Sequence, residues 1–149
     1  MSGLTRTNPI DVYARTIVEG RRPAGKYHRL ACDRHLHDRA REDTDGFPYV
    51  FRFADAARFF RFAGQLRHYK GKQFAGKPIL LADVQQFRLG SVMGWYHVET
   101  GLPRFTTAYN ELPRKSGKTL EAAIVALYKV FFCGEPGAEG YCIATKRQQ

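Results

Sequence analysis

The stretch from Gly117 to Cys133, GKTLEAAIVALYKVFFC, limits more than any other what this chain can fold into. It reads as a helix that is apolar on nearly every face and stops at Gly134-Glu135-Pro136-Gly137. Such a helix has to be packed against other structure, and a sheet is the expected cover. A bilayer is excluded, because the apolar run Leu120 to Cys133 is too short and carries Glu121 and Lys129. On the upstream side, RFTTAYNEL (104–112) alternates and carries β-branched residues suited to a strand. Downstream, EGYCIAT (139–145) reads as a second strand. The order strand, loop, helix, strand predicts one parallel, right-handed β-α-β unit.

The loop that opens the helix is LPRKSGKT, Leu112 to Thr119. A phosphate-binding loop has the pattern G-x-x-x-x-G-K-S/T between a strand and a helix. Gly117, Lys118 and Thr119 match it, and Leu112 stands where the first glycine belongs. Gly117 would let backbone N–H groups approach phosphate oxygens at the helix N-terminus. Lys118 would reach the β- and γ-phosphates, and the Thr119 hydroxyl would help hold Mg²⁺. A basic turn capping a helix is the plain alternative, but it leaves the crowding of Arg114, Lys115 and Lys118 unexplained. Cations at a helix start oppose its dipole unless an anion lies between them. The loop is therefore expected to be an anion site.

The chain has 149 residues and a formal net charge of +10, which favours a polyanionic partner without specifying a fold. IDVYARTIVEG after Asn8-Pro9 predicts a short helix stopped by Gly20, and RLACDRHLHDRAREDTDG predicts a polar helix ending near Gly46. In FADAARFFRFAGQLRHYKGK, Phe53, Ala56, Ala57, Phe60 and Ala63 recur at helical spacing, with Arg58, Arg61, Gln65 and His68 on the other face. From Arg52 to Lys77 there are seven Lys or Arg and one acid, Asp55. That run fits a solvated helix face or a patch touching a nucleic-acid backbone. KGKQFAGKP is a candidate domain boundary, and a helix is predicted from Asp83 to Met93. Cys32, Cys133 and Cys142 are odd in number and widely spaced, which suits a reducing compartment. Cys32, His35 and His37 lie close together but lack a second ligand pair, so a structural role is preferred to a metal. Trp95 is expected in the core, and His97 at the surface or hydrogen-bonded.

At the loop the residues carry a family resemblance. NELPRKSGKT resembles the variant Walker A loop of the large terminase subunits of tailed bacteriophages. That loop typically reads Pro-Arg-Lys-Asn/Ser-Gly-Lys-Ser/Thr, often without the first glycine. ILLADVQQFRLGSVMGW looks like the family's upstream Q motif, here Leu81, Gln85, Gly94 and Trp95. GEPGAEGYCIATKRQQ is similar to its second strand and following Ala-Thr-Lys segment, and DVYARTIVEG, LACDRHLHD and HYKGKQFAGKPI look like its N-terminal leader.

The resemblance implies an α/β fold. A helical N-terminal leader, residues 1–70, would precede the beginning of a P-loop ATPase domain with a parallel sheet, residues 71–149. It implies ATP and Mg²⁺ as cofactors, with Arg114, Lys115, Ser116, Gly117, Lys118 and Thr119 around the phosphates. Thr119 would contact Mg²⁺, and Arg114 could fork onto the γ-phosphate. Gln85 would contact the adenine, since an amide pairs with a donor and an acceptor edge. The motif's usual aromatic before this glutamine is Val84 here, and its Glu-Pro pair is Ala82-Asp83. Family partners would be double-stranded DNA, a portal protein, a small terminase subunit and a homo-oligomeric ring in the bacterial host cytoplasm, with no membrane. The sequence shows neither a later acidic strand end nor an acidic nuclease cluster. It is thus expected to be an N-terminal portion, inactive alone and prone to association. Two other readings are a small basic nucleic-acid-binding module and a different P-loop enzyme such as a helicase or kinase.

Overall fold

The computed structural model describes residues 8–134 and 137–141. The chain divides into two compact units, Met1–Ala108 and Tyr109–Gln149. The first contains α1 (Pro9–Val18), α2 (Lys26–Ala40), β1 (Tyr49–Phe51), α3 (Phe53–Gln65), α4 (Asp83–Gly94) and β2 (Trp95–His97). The second contains α5 (Lys118–Phe131).

The helix starts follow local chemistry. Asn8 caps α1 by accepting the Ile10 N–H at 3.0 Å, and Pro9 occupies the first turn, where no N–H is needed. Ile10, Tyr13, Ala14 and Ile17 recur at helical spacing and are buried. In α2 the buried residues are Cys32, His35 and Asp38, so a mostly polar helix turns a polar stripe inward. Helix α3 buries Ala56, Phe59, Phe62 and Ala63. The expected stripe thus holds at Ala56 and Ala63, while Phe59 and Phe62 take the deeper positions and Phe60 is half-buried.

Helix α4 is the hub, packing against both α1 and α3. Gly90 makes this possible: a Cβ there would lie 2.4 Å from Ile10 Cδ1 and 2.6 Å from Phe60 Cζ. Because α3 and α4 pack together, the Gly/Lys-rich stretch expected as a domain boundary lies inside the first compact unit.

The strands depart from expectation. β1 and β2 pair antiparallel, with Tyr49 opposite His97 and Phe51 opposite Trp95. Each has three residues, too few for an alternation to be read. The chain then reverses at Gly101, and Arg104 N–H donates to the Trp95 carbonyl at 2.9 Å. The start of RFTTAYNEL is therefore an antiparallel return onto β2, and no strand forms over 105–112. A strand exists only where a neighbour closes its ladder, and among the described residues this segment has none. The predicted second strand falls largely on 142–145, outside the described residues. The architecture of the described residues is helices with a small two-stranded antiparallel sheet, and among those residues the expected parallel sheet does not form.

Candidate phosphate site

The unit Tyr109–Gln149 carries the loop that the sequence singled out. Gly117 caps α5 with φ +79°, the left-handed region that glycine enters without steric cost. Lys115 is also left-handed, at φ +67°, a conformation a side-chain-bearing residue rarely adopts. Left-handed residues on both sides of Ser116 curl the backbone, as in loops whose successive N–H groups converge on an anion. The curl is held internally: Ser116 Oγ donates to the Pro113 carbonyl at 2.7 Å. Lys118 Nζ reaches back across the loop and donates to the Leu112 carbonyl at 2.8 Å.

This geometry explains Leu112. Its backbone is not left-handed, so the loop asks nothing of that position that only glycine could give. Its carbonyl is the resting acceptor of Lys118, a role that any residue type can fill. Sequence reasoning finds both residues but not this bond, because a main-chain acceptor leaves no mark in the residue pattern.

No side chain caps the start of α5, so its first-turn N–H groups are not satisfied by a capping residue. Arg114, Lys115, Lys118 and Thr119 are exposed around that end, and Ser116 is half-buried. The inner stripe of α5 is Glu121, Ile124 and Tyr128, while Phe131 and Phe132 are exposed at its far end. Glu121 is 5% exposed, whereas the sequence marks it only as a charge that excludes a membrane span.

The other candidates belong to the unit Met1–Ala108. Gln85 stands at the third position of α4, where its Oε1 accepts the Ala82 N–H at 2.8 Å and caps the helix start. Gly94 admits the Phe51 ring, since a Cβ there would lie 2.4 Å from Phe51 Cε2. Trp95 is 1% exposed and sits in the core as expected. His97 is half-buried in β2, and its Nδ1 accepts the Thr100 N–H at 3.3 Å.

The chemistry-bearing residues of α2 are committed to this core. Trp95 Nε1–H donates to His35 Nδ1 at 3.2 Å. An indole N–H only donates, so the imidazole proton resides on Nε2, which faces Asp11 Oδ1 at 2.8 Å. Burial alone would raise the Asp11 carboxyl, but the His35 hydrogen bond and the Arg39 charge outweigh it and hold it below its ordinary value. Arg39 also pairs with Glu42, which accepts the Phe51 N–H at 2.8 Å. Cys32 is fully buried and its thiol is pushed up to about 12 by burial, with Arg29 opposing. A thiol in that state is an inert filler. Thus Cys32 and His35 are structural, and His37 is exposed on α2.

Among the described residues no helix is long and apolar enough to cross a membrane. Residues 83–149 match the family model described as terminase large subunit, ATPase domain. No curated protein and no solved structure matches the chain.

Proposed function

Starting from a chain that belongs, through residues 83–149, to the terminase large-subunit family with its ATPase domain, we propose that the loop Leu112 to Thr119 grips the phosphates of ATP. The observation that carries this reading is the curled backbone at Lys115 and Gly117 with the Lys118 ammonium resting on the Leu112 carbonyl. A bound phosphate offers that ammonium a charged acceptor in place of a neutral one, which makes a stronger hydrogen bond.

The residues present suit the nucleotide's phosphates and their metal. Main-chain N–H groups at the start of α5 meet one side of the anion. Lys118 meets another, and exposed Arg114 can fork onto the terminal phosphate. Thr119 supplies the hydroxyl that would hold Mg²⁺, and Mg²⁺ when bound neutralises charge on the phosphate oxygens. In this reading the chain serves the ATP-driven packaging of double-stranded DNA in the cytoplasm of a bacterial host. Its partners there would be a portal protein, a small terminase subunit and further copies of itself.

Titration calorimetry with ATPγS and Mg²⁺ tests the phosphate grip. Removing one charge-assisted hydrogen bond costs about 1.5–3 kcal/mol, so Lys118→Ala should weaken binding roughly tenfold to a hundredfold. Equal affinity in the variant and the parent would refute the assignment.

A further inference from the structure

Between α3 and α4 the chain forms a finger, residues 66–79, that bonds to itself. Ile79 N–H donates to the Leu66 carbonyl at 2.9 Å, His68 N–H to Lys77 at 3.0 Å, and Gly76 N–H to His68 at 2.8 Å. Arg67 lies antiparallel to Pro78, and its guanidinium donates to the Gly76 carbonyl at 2.8 Å. Ile79, only 4% exposed, anchors the base. Gly71 and Gly76 turn the tip with positive φ. This is a shaped protrusion rather than a slack linker.

Its outer surface carries Arg67, Lys70, Lys72 and Lys77, and no acid occurs between Asp55 and Asp83. None of these four cations pairs with a carboxylate among the described residues. Two rings stand out with them: Tyr69 is 78% and Phe74 56% exposed. Lys70 Nζ lies 5.1 Å from the Tyr69 ring centroid, and the His68 ring lies 5.6 Å from that of Phe74.

Unpaired cations would fit any polyanion, so the rings decide between partners. A duplex hides its base faces, whereas an unpaired strand offers phosphates and bare bases at once. Cations along a backbone with aromatic rings for stacking form the general means of holding single strands. We infer that the finger 66–79 binds an unpaired nucleic-acid strand, with Lys70, Lys72 and Lys77 on phosphates and Tyr69 stacked on a base. This goes beyond the nucleotide reading and does not depend on it.

Fluorescence anisotropy on the 149-residue chain tests it, with a labelled oligothymidylate of about 16 nucleotides and a duplex of equal length. No nucleotide is present, so a failed phosphate loop would leave the result untouched. The parent should prefer the single strand. With Lys70, Lys72 and Lys77 all changed to alanine, the slope of log affinity against log salt, between about 50 and 200 mM, should flatten by about 2. Tyr69→Ala should weaken the oligothymidylate roughly tenfold and leave that slope unchanged. Circular dichroism confirms folding, which these exposed positions do not threaten. An unchanged slope in the triple variant, an inert Tyr69→Ala, or a parent that prefers duplex would each overturn the inference.

Discussion

In the unit Met1–Ala108, both ring nitrogens of His35 are engaged, one by Trp95 and the other by Asp11. In the unit Tyr109–Gln149, the Lys118 ammonium rests on a single main-chain carbonyl at an exposed loop. Both arrangements use residue types that also serve chemistry, and they differ in what remains for a ligand. The first unit closes several of its buried polar groups on one another. Asp38 meets Arg104 at 2.7 Å, and the Arg104 guanidinium lies against Tyr49 at 4.6 Å and Trp95 at 5.3 Å. Polar groups buried in this way specify packing, since a partner removed leaves the other stranded. The second unit curls its backbone at some conformational cost, and among the described residues no carboxylate pairs with the cations beside it. A histidine and a tryptophan thus serve the scaffold here, and the lysine on the curled loop is left to the proposed phosphate site.

The contrast breaks most easily at Trp95. Trp95→Ala removes the largest fully buried side chain and strands His35. It should cost about 3–5 kcal/mol in urea unfolding followed by circular dichroism. Lys118→Ala, changing an exposed residue, should stay within about 0.5 kcal/mol in the same measurement. If the two variants unfold alike, the division between scaffold and site is wrong.

A smaller effect sharpens the same point without touching a polar group. Gly90→Ala places a methyl group against Ile10 and Phe60, at the junction of α1, α3 and α4. Overpacking of this kind costs about 1–3 kcal/mol. The single tryptophan, Trp95, reports the loss by its fluorescence in urea. A neutral Gly90→Ala would mean that α4 is free to shift, and that the hub is looser than its contacts imply.

How much of this was legible depended on the kind of force involved. Helices were legible because their signals are local: Asn8-Pro9 before α1, the 3.6-residue spacing in α3, Gly117 before α5. The loop proposed to grip phosphate carries an equally local signal, since Gly117, Lys118 and Thr119 are consecutive. Strands were not legible. β1 and β2 form because Phe51 and Trp95, distant in sequence, meet over a shared core, and three-residue strands carry no period. The expected strand over 104–112 failed on the same ground, because alternation shows what a segment could pair with but supplies no partner. The Asp11–His35–Trp95 chain was equally invisible, although each residue was in plain view. Its meaning lies in burial, which neither spacing nor composition encodes.

The smallest expected effect concerns pH and belongs to the first unit. His28 shares a 3.0 Å hydrogen bond with Tyr13 and packs edge-on to Phe87. Burial first, and then the Arg88 charge, lower its pKa below the ordinary 6.5. The unfolded chain therefore binds this proton more readily than the folded one. Stability from this group is complete above about 6.5 and falls as the pH drops from there toward the folded value. The lowered Asp11 carboxyl acts in the same sense further down, because its contribution is present above 3.8 and is lost as the pH falls through the folded value. The urea midpoint should accordingly decline in two stages on acidification, the first beginning near 6.5 and the second below 3.8. His28→Phe keeps an aromatic ring against Phe87 and should flatten the first stage alone. If that variant retains the parent's decline between 6.5 and 3.8, the half-buried His28 is not its source. The polar interior would then be less tightly closed than its hydrogen bonds indicate.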